Sequence, residues 1–99
     1  DNRNQILYFG DLDYEGILIY ETLQKHFRDS VKLQPFCAAY EIMLQKMKLT
    51  KLPTMKERQN SNIGNEFYSF FSNETQEKMK NLLRQNKYIP QEILQRKDF

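Results

Sequence analysis

Hydrophobic positions change their period several times along this chain, and each change predicts an element. Ile6-Leu7-Tyr8-Phe9 is an unbroken run of strand formers. A run without polar alternation predicts a strand buried on both faces, as in a parallel sheet. Gly10 breaks the run, and Asp11 to Asp13 form a turn. From Tyr14 onward Ile19, Leu23, His26 and Phe27 recur at helical spacing, with Ile17 and Tyr20 widening the stripe. Asp13 stands where an N-cap is expected, and the helix should end near Arg28 to Ser30. Val31 to Phe36 predicts a shorter second strand, with Pro35 at its end or on an edge. Tyr40, Met43, Leu44 and Met47 follow i, i+3, i+4, i+7, which predicts a helix over residues 38 to 49.

Residues 50 to 65 are polar and punctuated by Pro53 and Gly64, so they are expected to form a loop. Phe67, Phe70 and Phe71 predict a short helix. Asn73 with Gln76 resembles a capping box that opens a helix to about Asn86, with Met79, Leu82 and Leu83 inward. Pro90 suits the first position of a last short helix over Gln91 to Gln95. The strand–helix–strand–helix order predicts an α/β domain: a small, mostly parallel sheet flanked by helices, Rossmann-like in plan, with a helical C-terminal third.

Length and composition narrow the class. The 99 residues suffice for one domain. A hydrophobic share of 39% with 13% aromatic residues is too high for a disordered tail. No apolar run approaches the roughly 20 residues that span a bilayer, and the first residues lack the apolar core of a signal peptide. A lone Cys37 cannot form an internal disulfide. It reads as a half-buried reduced thiol, and the expected setting is the cytoplasm. The chain begins without Met, which is expected of a piece of a longer protein or of a processed chain.

Net charge is only +2, but its distribution is uneven. Asp11, Asp13 and Glu15 are crowded together, while Lys46, Lys48, Lys51, Lys56 and Arg58 outnumber the single acid Glu57 in their stretch. A compact acidic site beside a basic stretch suits an anionic polymer. Lys51, Lys56 and Arg58 are the candidates for phosphate contacts, and the plainer reading is a solvated helix end and loop.

The chemistry concentrates where the first strand ends. Ligands in open α/β sheets bind beyond the carboxyl ends of strands. Two carboxylates two positions apart in such a turn repel unless a cation lies between them. Magnesium or manganese held by Asp11 and Asp13 could then polarise a phosphate. The structural alternative makes Asp13 an N-cap and Asp11 a turn residue. Gly16 follows in the first helical turn, where propensity gives no reason for it, so it is expected to admit a backbone or a phosphate. Glu15 reads either as a third acidic ligand or as a favourable charge at a helix N-terminus.

The segment from Tyr8 to Tyr20, with Gly10-Asp11-Leu12-Asp13-Tyr14-Glu15-Gly16 and Ile19 within it, resembles the Asp-x-Asp-x-x-Gly-x-x-Ile signature of Toprim domains. The nearest variants are those of the Wadjet plasmid-defence nuclease subunit (JetD-like) family. More distant are the type VI topoisomerase A subunits and the meiotic break-forming relatives. Tyr88-Ile89-Pro90-Gln91-Glu92 is similar to the Gln-Glu ending of that family. The resemblance implies a metal-dependent DNA nuclease binding Mg2+ or Mn2+ at Asp11 and Asp13. It implies delivery of DNA by a structural-maintenance-of-chromosomes-type ATPase complex, with a homodimer as a further expectation. Glu15 or Glu92 would complete the catalytic shell. The glutamate that such domains carry on an earlier strand has no counterpart here, which is expected of a C-terminal fragment or of an incomplete site. The tyrosines at 8, 14, 20, 40, 68 and 88 read mostly as core, so attack by metal-activated water is expected rather than by a tyrosine.

Two rival readings remain. A non-catalytic Toprim-like module would hold DNA or a protein partner. A haloacid-dehalogenase-like phosphatase would use the first Asp as nucleophile, but it needs a second acidic pair on later strands. The single His26 and single Cys37 exclude a zinc centre, no Gly-rich phosphate loop is present, and His26 reads as a core or boundary residue.

Overall fold

The computed structural model describes residues 4–47, 52–55 and 59–94. Its sheet has two strands, β1 (Asn4–Tyr8) and β2 (Val31–Pro35), paired in parallel with Asn4 opposite Val31 and Tyr8 opposite Pro35. Between them runs helix α1 (Tyr14–Phe27), which lies against β2. Helix α2 (Cys37–Lys46) follows β2 directly. After an irregular stretch come a 3-10 turn at Tyr68–Phe70, helix α3 (Asn73–Arg84) and a second 3-10 turn at Gln91–Ile93. The expected α/β plan with a small parallel sheet is therefore present, and the C-terminal third is helical in part. α3 forms as expected, but the short helices expected around Phe67–Phe71 and from Gln91 to Gln95 are single 3-10 turns, with Leu94 already extended. No helix among the described residues is long and apolar enough to cross a membrane.

Several local expectations shift. β1 stops at Tyr8, not Phe9, and it is not buried on both faces: Ile6 and Leu7 are 47% and 50% exposed. The reason is that β1 has a described neighbour on one side only, and α1 covers β2. In α1 the inward positions are Gly16, Ile17, Tyr20 and Glu21. Ile19 and Phe27, expected inside, are 47% and 40% exposed, and His26 is exposed with its ring edge-on to Phe27. α2 ends at Lys46 because Met47 is already extended, while residues 48 and 49 lie outside the described residues.

At α3 the cap is Ser72 rather than Asn73. Its hydroxyl accepts from the Thr75 N–H at 3.2 Å, and the Gln76 side-chain amide instead donates to the Phe71 carbonyl at 3.0 Å. The same helix closes on Asn86, whose φ of 62° is left-handed. Asn86 N–H donates to Leu83 O and Lys87 N–H to Leu82 O, both at 3.0 Å, which is a Schellman closure with Asn in place of the usual Gly. That reversal sends residues 87–89 back across the domain.

The core is gathered around an aromatic cluster. Phe67 has its ring 5.7 Å from Tyr20, 5.1 Å from Tyr40 and 5.3 Å from Phe71. Edge-on and tilted packing of this kind adds to simple area burial. Met79, Leu82 and Leu83 of α3 close one side, and Leu12 and Ile89 are fully buried. These last two pair as an antiparallel bridge, Leu12 N–H to Ile89 O at 2.8 Å and Ile89 N–H to Leu12 O at 3.1 Å. The bridge ties the C-terminal segment to the turn that follows β1.

Candidate active site

The turn after β1 is shaped by its two glycines. A Cβ on Gly10 would stand 2.8 Å from the Tyr8 hydroxyl. A Cβ on Gly16 would stand 2.3 Å from the Asp11 carbonyl oxygen, a backbone atom with little freedom to retreat. Gly16 is thus required by the close approach of residue 11 to the first turn of α1, and the approaching group is backbone.

Two phenols hold the same turn. Tyr8 donates its hydroxyl hydrogen to Gly16 O at 2.8 Å, and Tyr40 accepts from Gly10 N–H at 3.1 Å. Burial pushes the Tyr8 hydroxyl above its ordinary pKa, and the carboxylates of Asp13 and Asp11 push it further. Tyr40 is raised chiefly by burial, against a lowering by the Gly10 N–H bond.

Asp13 is the N-cap of α1. Its Oδ1 accepts from Gly16 N–H at 2.6 Å, and its Oδ2 accepts from the Gln59 side-chain amide at 3.2 Å. Gln59 also accepts from the Glu15 N–H through its own oxygen at 3.1 Å. One amide therefore bridges the capping carboxylate and an N-terminal donor of the helix, which would otherwise go without an intrahelical partner. Asp11 accepts through Oδ1 from the Gln91 N–H at 2.8 Å, across 80 positions of sequence.

Asp11, Asp13, Glu15, Gly16 and Gln91 line one open cleft of about 300 Å³, with Tyr8, Gly10 and Ile19 completing it. The two predicted metal ligands do share a crevice at the carboxyl end of a parallel strand. Glu15 is exposed at its rim, in the first turn of α1. Glu92 is exposed and does not line the cleft, although its neighbour Gln91 does. The expected phosphate contacts Lys51, Lys56 and Arg58 lie outside the described residues.

The donor set fits a hard divalent cation as half of a site. Magnesium is commonly held by one or two carboxylates together with waters and phosphate oxygens. Among the described residues Asp11 Oδ2 makes no hydrogen bond and Asp13 Oδ2 accepts from a neutral amide alone. No cluster of three or more His, Cys, Asp or Glu side chains suited to a metal occurs among the described residues. Gln59, Tyr8 and Tyr40 were not legible as site residues. Gln59 sits in a polar loop without a motif, and the tyrosines fit apolar stripes.

Compared with protein-family models, curated proteins and solved structures, the chain gives no match.

Proposed function

We propose that this chain forms the Asp-x-Asp part of a Toprim-type, Mg2+- or Mn2+-dependent enzyme that hydrolyses the phosphodiester backbone of DNA. The observation that carries the reading is the shared cleft. Asp11 and Asp13 open into it at the end of β1, and the Gln91 segment closes on it from the far end of the chain. The sequence resemblance joins those same two segments. A bound divalent ion would polarise the scissile phosphate and activate a water. The chain's own part is to hold the carboxylates: Gly16 N–H and the Gln59 amide orient Asp13, and Gln91 N–H orients Asp11. The reading includes delivery of DNA by a structural-maintenance-of-chromosomes-type ATPase complex and a role in plasmid or phage defence.

A second reading, a non-catalytic module that holds DNA or a protein, is favoured by one observation. Both oxygens of Asp13 already serve protein donors. The phosphatase reading gains no such support, since β2 ends at Pro35 and runs into Phe36 and Cys37 without an acidic pair. The deciding experiment incubates closed circular DNA with the protein in Mn2+, in Mg2+ and in chelator. Cleavage that requires metal and disappears in Asp11→Asn supports the nuclease. Metal-independent binding without cleavage supports the module.

A further inference from the structure

Behind the Gln59 amide lies a second cleft, of about 190 Å³, lined by Tyr14, Met55, Gln59, Ser61, Leu83, Arg84 and Asn86. It differs chemically from the first. Among the described residues no carboxylate lines it, whereas three line its neighbour. Its polar residues are Arg84 with its guanidinium, Ser61 and Tyr14 with their hydroxyls, and Gln59 and Asn86 with their side-chain amides. Tyr14, half-buried against the core, and the buried Met55 and Leu83 complete the lining. Arg84 is exposed and makes no ion pair among the described residues. The two clefts meet at one residue: Gln59 lines the second and bonds Asp13 of the first at 3.2 Å.

From this juxtaposition we infer that the second cleft seats the DNA strand next to the reacting phosphate, with Arg84 binding a flanking phosphodiester and Tyr14 offering its ring to the adjoining base. The inference rests on the proposed nuclease reading and gives it a strand path. A planar fork of N–H donors matches a phosphate's paired oxygens. Base–aromatic stacking with a backbone contact is how nucleotides are held without sequence preference. The two clefts then divide the labour. The acidic one is repulsive to phosphate unless a cation is present, and the other attracts phosphate directly. A strand lying across Gln59 would be drawn by Arg84 and presented to Asp11 and Asp13. The C-terminal position of Arg84 in α3 also has a plain structural use, as a favourable charge at the negative end of the helix dipole. A test must separate the two.

The test is binding of a fluorescent single-stranded oligonucleotide to the protein in chelator, read by anisotropy over a range of salt. Arg84→Ala is expected to weaken binding about 5- to 10-fold at low salt and to lower the salt slope by about one counterion. Arg84→Lys should keep the slope. Mn2+ affinity, measured on the same proteins, should be unchanged in both variants. A purely dipolar role predicts a lower melting temperature in Arg84→Ala with the salt slope unmoved, and that result overturns the inference while leaving the nuclease reading in place. Absence of oligonucleotide binding by the unsubstituted protein overturns the inference, and the nuclease reading then stands or falls by the metal-dependent cleavage of circular DNA.

Discussion

Gln91 donates its backbone N–H to Asp11 across 80 positions of sequence, at 2.8 Å. The contact follows from the neighbouring bridge between Leu12 and Ile89, which lays the last described segment beside the acidic turn. It turns a local motif into a cleft with walls from both ends of the chain.

Asp13 carries two duties that substitution can separate. Asn caps a helix about as well as Asp, so Asp13→Asn should unfold in urea within about 0.5 kcal/mol of the parent. Asp13→Ala removes the cap and should cost about 1–2 kcal/mol. Both should lose metal-dependent DNA cleavage. Retained cleavage in Asp13→Asn would reduce Asp13 to a structural cap.

Gly16→Ala tests the close approach. An exchange of Gly for Ala inside a helix ordinarily gains about 1 kcal/mol. Here the added methyl meets the Asp11 carbonyl oxygen at 2.3 Å, and overpacking of this sort costs about 1–3 kcal/mol. The expected result is a net loss of up to about 2 kcal/mol in equilibrium denaturation. A stabilised variant would show that the turn relaxes freely.

Divalent metal should raise thermal stability if it binds the folded cleft. At 100 times its dissociation constant, a ligand specific for the folded state adds about 2.7 kcal/mol. Melting in increasing Mn2+ should show this rise, and Asp11→Asn should abolish it. The asparagine oxygen can still accept from Gln91 N–H, so the fold is preserved while the charge is removed. Equal melting curves with and without Mn2+ would remove the metal from the reading.

Alkaline stability should be lost early. Burial pushes the Tyr20 and Tyr68 hydroxyls up to about 12, from an ordinary value of 10.0. Between these values the unfolded chain has released phenolic protons that the folded chain retains, so the unfolded state gains on every rise in pH. Stability is therefore unaffected by these groups below about pH 10. It falls progressively from there to about pH 12. Urea midpoints at pH 8, 10 and 11 should show the decline, and Tyr20→Phe should make it shallower.

The local elements were legible because they depend on neighbours in sequence. Strand formers before Gly10, the helical spacing of Tyr40 and Met43, and the position of Asp13 before Tyr14 predicted β1, α2 and the cap of α1. The inward face of α1 was read in part: Ile17 and Tyr20 are buried as expected, whereas Ile19, His26 and Phe27 are exposed. Ile19, Leu23, His26 and Phe27 form as regular a stripe as Ile17, Tyr20 and Glu21, and only the placement of Phe67 and β2 decides which is buried. Glu21 is the clearest case. It is 8% exposed, and its carboxylate accepts from Gly64 N–H at 2.7 Å, a partner that no helical periodicity announces.

What the sequence determined by itself is the order of elements and the Asp-x-Asp turn with its following glycine, because propensity, capping and periodicity act within a few residues. Only the tertiary structure decided which groups surround that turn. Gln59, Tyr40 and Gln91 reach it by packing and hydrogen bonding over 30 to 80 positions. Such contacts depend on where whole elements come to rest, which a short window of sequence does not encode.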